Sequence, residues 1–217
     1  MFNPQGGFAS FIMPAVLILV IQQSLLLGVG TITGTARDRR RNGLMIPANR
    51  HYCRSWCIVL GKACLYLLIY FVMAYWVLFV VPRIFNLTQI ACKAELMLFL
   101  FPFLLACTFF AISGSFLSKE REQPFLLFVF TSVPLMFISG ISWPREGIPD
   151  YWIAFSKIFP STYGIDGFVK MNNMGAKLEE VFPEYISLWV LAAVYFILAC
   201  LLYRCQIKKV NVSFLRN

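Results

Sequence analysis

Charge is what this chain lacks most. Of its 217 residues only 13% are Asp, Glu, Lys or Arg, while 59% are hydrophobic and the mean hydropathy is +0.73. A soluble domain carries about a quarter charged residues, so the shortage excludes an ordinary soluble fold. It predicts an all-α, polytopic membrane helix bundle. Acids are scarcer still, ten against nineteen basic residues, for a net charge of +9. In a soluble protein that excess points to nucleic acid. Here the basic residues lie mostly between apolar runs, so the charge reads as topology and contact with membrane lipid, and no nucleic-acid partner is expected. Histidine is almost absent. His51 stands alone, which excludes an H-E-x-x-H zinc site, and its spacing to Cys53 and Cys57 matches no standard finger, so no metal site is expected. There is no G-x-x-x-x-G-K followed by Ser or Thr: Gly61-Lys62-Ala63 lacks the glycine loop and the hydroxyl, so any ATP hydrolysis belongs to another chain. The seven cysteines fall in apolar runs and on both sides of the expected membrane. They form no disulfide framework and are expected as free thiols.

What is present is a series of apolar runs. Five are expected to span: 8–32, 57–81, 96–117, 125–141 and 185–203, most of them long enough for a hydrocarbon core of ~30 Å. The first is no signal peptide, because it ends in a basic stop rather than a cleavage site. Gln22 and Gln23 in its middle are candidate polar contacts on a transport path, the plainer reading being amides bonded to neighbouring helices. Gly28, Gly30 and Gly34 read as close helix packing, as do Ser113, Gly114 and Ser115. Pro82 is expected to terminate the second span.

The segment 35–62 holds seven of the nineteen basic residues, which marks a cytoplasmic face. Its later part, from Leu44 through Tyr52, Cys53 and Trp56, interleaves apolar and basic residues in the manner of a helix lying on the membrane surface. With that segment inside, thirteen basic residues are cytoplasmic and six outside. The amino terminus is then outside and the carboxyl terminus cytoplasmic. An outside amino terminus without a charged leader is expected if one span and an outside domain precede this chain, making it the carboxy-terminal part of a longer protein.

Between the last two spans lies a stretch too polar to cross a membrane and too aromatic for an ordinary loop. The fourth run gives out at Ser139-Gly140. Trp143-Pro144, a polar patch and Pro149-Asp150 follow, and Tyr151–Phe159 reads as a short amphipathic helix. Pro160-Ser161 ends it, with Ser161 or Thr162 available to cap another. Trp and Tyr favour the headgroup level, so 143–183 is expected to lie in or dip into the outer interface as short re-entrant helices. Glu179-Glu180 resembles the paired glutamates of intramembrane prenyl-protein proteases, but the arginine and histidines of those enzymes are missing.

Three groups of residues resemble the permease subunit of type 2 ABC exporters (ABC-2 type), closest to the drug-export branch. They are Ser139-Gly140-Ile141-Ser142-Trp143-Pro144; Ile148-Pro149-Asp150-Tyr151-Trp152; and Pro160-Ser161-Thr162-Tyr163 with Gly167-Phe168. Phe2-Asn3-Pro4 is similar to the family's segment before its second span. The resemblance covers essentially the whole chain and places it on spans two to six. It implies an outer gate built from Ser139, Gly140, Trp143, Pro144, Pro149, Trp152, Pro160 and Tyr163. It also implies a coupling segment, including Arg37, Asp38, Arg39, Arg40, Arg41, Gly43, Arg50 and Arg54, that touches an ATP-binding subunit. Where the family has E-R-E-x-G-T-x-E, residues 36–44 keep only the glycine and the general charge pattern. The implied partners are an ATP-binding cassette subunit carrying ATP and Mg, a second permease copy or paralogue, and a periplasmic adaptor. No cofactor is expected on this chain. The expected activity is export of an amphipathic, drug-like or lipid-like substrate across the bacterial inner membrane. The competing readings are a non-transporting scaffold or degenerate permease, and a membrane enzyme centred on His51. A secondary transporter is weaker still, for want of internal repeats or a mid-span ion-coupling acid.

Overall fold

In a computed structural model the described residues are 8–41, 55–84, 91–116, 122–138 and 149–214. All regular structure among them is helical. The reason is solvent: a lipid-facing backbone must satisfy its own N–H and C=O groups. The helices are α1 (Phe8–Arg41), α2 (Ser55–Tyr75), α3 (Val81–Ile84), α4 (Lys93–Gly114), α5 (Gln123–Ile138), α6 (Asp150–Ser156), α7 (Pro160–Met174) and α8 (Phe182–Phe214).

Four stretches are long and apolar enough to cross a membrane: Ile12–Ala36, Trp56–Ile84, Lys93–Gly114 and Phe182–Cys205. The fourth of the five expected spans corresponds to α5, which has 16 residues and reaches about 24 Å at 1.5 Å per residue. The expected end of that span, 139–141, lies outside the described residues.

Pro82 does not end the second span. It lacks the N–H that would pair with the Leu78 carbonyl, and the chain responds by widening. Trp76–Val80 forms a π-helical turn, with the Val81 N–H reaching back to the Trp76 carbonyl, and helix resumes through Ile84. Likewise α1 runs unbroken past residue 32 to Arg41. Of the expected segment 35–62, residues 35–41 therefore extend α1 and 55–62 begin α2, while 42–54 lie outside the described residues.

The bundle is arranged around α4, which packs against α1, α2, α7 and α8. Its spanning window is 72% buried, against 22% for those of α2 and α8. Phe99, Leu100, Phe103 and Leu104 on α4 are among the most completely buried side chains. By contrast α8 exposes Val190, Val194, Ile197 and Leu201. That spacing lines one helical face, and α2 does the same with Leu65, Leu68 and Val72. Such apolar stripes suit contact with lipid chains rather than water.

Candidate transport pathway and outer segment

The order of events in α6 and α7 follows from a few residues. Pro149 stands at the start of α6 with extended backbone and no side-chain cap. Seven residues later Ser156 closes the helix, its hydroxyl donating to the Ile153 carbonyl at 2.8 Å. Pro160 opens α7 at a position where its missing N–H costs nothing. The expected cap by Ser161 or Thr162 is not what starts α7. Phe159 precedes it without a side-chain cap, and the Thr162 hydroxyl instead donates to the Ser156 carbonyl at 2.7 Å. A second tie crosses from α8, where the Tyr195 hydroxyl donates to the Ile158 carbonyl at 2.7 Å. The corner between α6 and α7 is thus held from both sides.

The two helices then diverge. On α6, Tyr151, Trp152 and Phe155 are exposed, and their rings contact one another in sequence. In α7, Pro160, Ser161, Thr162, Gly164, Ile165, Gly167, Phe168, Met171 and Asn172 are buried, against α1, α4 and α8. Glycine makes this possible. A Cβ at Gly164 would fall 2.5 Å from the Phe103 ring and 3.3 Å from Ile18, and one at Gly167 would enter the Phe99 ring. α7 ends on Gly175 with φ 68°. Its N–H bonds the Met171 carbonyl and that of Ala176 bonds Lys170, a left-handed cap that suits glycine. Of the expected gate residues, Pro160 and Tyr163 therefore belong to the packed helix, while Pro149 and Trp152 sit on its exposed neighbour. Ser139, Gly140, Trp143 and Pro144 lie outside the described residues.

Acidic residues that composition alone would leave on the surface are used as ties. Glu95, at the head of α4, accepts the Leu178 N–H at 3.0 Å. Lys170 on α7 pairs with Glu184 on α8. At the mouth of α7, burial first and then the Asp166 charge raise the Tyr163 phenol above its usual range. No spacing rule in the sequence joins Glu95 to Leu178 or Lys170 to Glu184. The one available signal is that each lies near the end of an apolar run.

Mid-membrane, the two glutamines face different partners. Gln23 donates from Nε2 to the Thr131 hydroxyl at 3.3 Å, with a reciprocal contact at 3.4 Å, and so joins α1 to α5. Gln22 turns to α4, where its Oε1 accepts from the Cys107 thiol at 3.7 Å. Its Nε2 is buried and has no hydrogen-bond partner among the described residues. Two of the three glycines expected to allow close packing in α1 do so: a Cβ at Gly30 would lie 2.7 Å from Pro124 of α5, and one at Gly28 3.1 Å from the Tyr70 hydroxyl of α2.

At the opposite end Arg37, Asp38, Arg39, Arg40 and Arg41 form the last turns of α1, and Asp38 is half-buried. Gly43, Arg50 and Arg54 lie outside the described residues. Lys62 donates to the Tyr203 hydroxyl at 2.7 Å and lies over its ring, joining the start of α2 to the far end of α8. Cys57, Cys64, Cys92, Cys107, Cys200 and Cys205 are free thiols.

The sequence pattern of the ABC-2 family transporter proteins matches residues 1–201. The chain belongs to that family. Among individual proteins, the inner membrane transport permease YhhJ of Escherichia coli (strain K12) is 28% identical over 101 residues, 46% of this chain and 27% of that protein. The protein of the same name from Shigella flexneri gives the same values. The chain thus matches about a quarter of the length of these curated relatives. No solved structure matches. The family is one of ABC-2 transporter proteins. The helices of this chain divide into a buried scaffold of α1, α4 and α7 and a lipid-facing shell that includes α2 and α8.

Proposed function

We propose that this ABC-2 protein is the permease part of an ATP-driven exporter that moves an amphipathic, drug-like or lipid-like substrate across the bacterial inner membrane. A separate ATP-binding subunit energises it, and a second permease copy or paralogue completes it. The observation that carries this reading is the family match over residues 1–201.

The mechanism assigned here runs along α1. From Gln22 to Arg41 that helix is unbroken, a lever of about 29 Å. Its arginine-rich end, with the segment that follows, meets an acidic groove of the ATP-binding subunit. ATP-driven closure of that subunit displaces the lever. Because α1 packs directly on α7, the displacement is delivered to the re-entrant helix and opens the outer end. Binding of ATP must favour the displaced state for this to do work. α5 completes the crossing as a fifth span, and the thirteen-to-six distribution of basic residues puts the α1–α2 connection in the cytoplasm and α6–α7 outside.

Co-purification of the complete permease with its ATP-binding subunit, followed by an ATPase assay in lipid, tests the proposal. A stoichiometric complex whose hydrolysis rises with substrate is expected. A well-folded permease that forms no complex overturns it. Replacing Arg39, Arg40 and Arg41 together by Glu is expected to abolish co-purification, and unchanged binding removes the coupling role. Cysteines placed at Asp150 and Arg50 label from opposite sides of the membrane if the topology is right.

A further inference from the structure

Where α5 ends and α8 begins, α6 and α7 line a half-open cavity of about 160 Å³. Its apolar wall is Ile138, Ile153 and Pro183, and its polar side is Lys157, Tyr163, Asp166 and Glu184. A drug-sized site occupies roughly 300–1,000 Å³, so this cavity takes a small polar group and not a whole drug.

Its electrostatics narrow the choice. Lys157 and Asp166 are opposite charges, and Glu184 is already neutralised by Lys170. The four charges sum to zero, so neither a net anion nor a net cation is favoured. One acceptor is left over. Lys170 engages Oε1 of Glu184, while Oε2 is buried with no hydrogen-bond partner among the described residues. A buried charged oxygen of this kind is costly unless a donor reaches it, and an ammonium group brings three donors. On the exposed side Lys157 offers a cation to a phosphate. The neighbouring surface of α6 carries Tyr151, Trp152 and Phe155, the residues that hold a segment at the depth of lipid head groups.

We infer that this cavity binds the zwitterionic phosphate–ammonium group of an amphiphile, with the ammonium at Glu184 and Asp166 and the phosphate at Lys157. The apolar wall receives the first carbons of the attached chain. The group has two possible sources, a bilayer phospholipid and a water-soluble phosphoamine. The inference uses the membrane reading of α6 and does not depend on transport.

The test is binding to the purified full-length chain in a non-ionic detergent, read by native mass spectrometry. The probes are phosphatidylethanolamine, phosphatidylglycerol with the same acyl chains, and soluble phosphoethanolamine as competitor. Preference for phosphatidylethanolamine over phosphatidylglycerol by about tenfold is expected. Asp166→Asn and Lys157→Gln each reduce that preference, and Ser187→Leu, which fills the cavity from α8 without touching a charge, reduces it as well. Competition by phosphoethanolamine assigns the site to a soluble ligand, and its failure to compete assigns it to the lipid. Equal binding of the two lipids overturns the inference, as does a preference indifferent to all three substitutions. Monodisperse elution of each variant separates lost binding from lost folding. No ATP or ATP-binding subunit is present, so a negative result leaves the permease proposal standing.

Discussion

Helices α6 and α7 are separated by three residues and both lie between the last two membrane helices, yet they solve opposite problems. α6 is short, aromatic and exposed. α7 is twice as long, rich in small residues and buried among three neighbours. An amphipathic ring gains from sitting at an interface, where its body is in lipid and its edge in water. A glycine gains nothing there, but inside a bundle it lets two helices approach to the limit of their backbones. The stretch between α5 and α8 is therefore one exposed helix joined at a fixed corner to one buried helix.

That contrast is breakable by substitution, and the largest effect is expected on the buried side. Gly167→Leu places a side chain within the Phe99 ring and is expected to cost roughly 3 kcal/mol or more through overpacking. The measure is the fraction of monodisperse protein surviving a heat challenge. Phe99→Ala in the same chain should recover part of the loss, and a fully stable Gly167→Leu would mean that α7 does not pack as described. Next comes the corner itself. Thr162→Val removes the side-chain donor to the Ser156 carbonyl, which keeps the Phe159 N–H, and is expected to cost about 0.5–1.5 kcal/mol, with faster protease cleavage between α6 and α7. Cleavage no faster than in the parent would show that the Tyr195 bond alone fixes the corner. Gln23→Leu severs the α1–α5 link at about 0.6 kcal/mol, the average for such bonds in membranes. A loss several times larger would give that link a role beyond holding the two helices together. Smallest of all, Tyr151→Ala is expected to stay within about 0.5 kcal/mol while changing the depth of α6, read from the fluorescence of the neighbouring Trp152. If Tyr151→Ala destabilises as much as Gly167→Leu, the division between the two helices collapses.

Parts of this were legible in the residue order because they depend on local chemistry. Apolar length predicts helices, and the aromatic run 151–159 predicts a short helix close to the α6 observed. Close packing at Gly28, Gly30 and Gly114 could be anticipated because small residues within a span have few other uses. A further short helix near Ser161 was expected, but the length and burial of α7 were not legible. Gly164, Asp166, Gly167, Asn172 and Asn173 lower its helix propensity. Burial against α1 and α4 overrides that propensity. Pro82 misled for a related reason: a proline ends a helix only when nothing nearby absorbs the lost bond, and here a π-helical turn does. Arg37, Arg39, Arg40 and Arg41, expected in a separate segment 35–62, instead continue α1, because the chain stays helical past residue 32.

By itself the sequence determined that this is a helical membrane chain, that four of its apolar runs are long enough to cross a bilayer, and that its cationic clusters flank apolar runs. Each of these follows from the transfer of side chains and backbone between water and lipid, which depends on composition and order alone. The tertiary structure decided the rest: that α4 is the centre, that α7 is buried while α6 is not, that Gln22 and Gln23 face different helices, and that a Glu184 oxygen beside a small cavity has no partner among the described residues. Those outcomes depend on which surfaces meet. In a bilayer, apolar surface is nearly as comfortable against lipid as against protein, so hydrophobicity cannot choose among them. Shape, small residues and a few hydrogen bonds do.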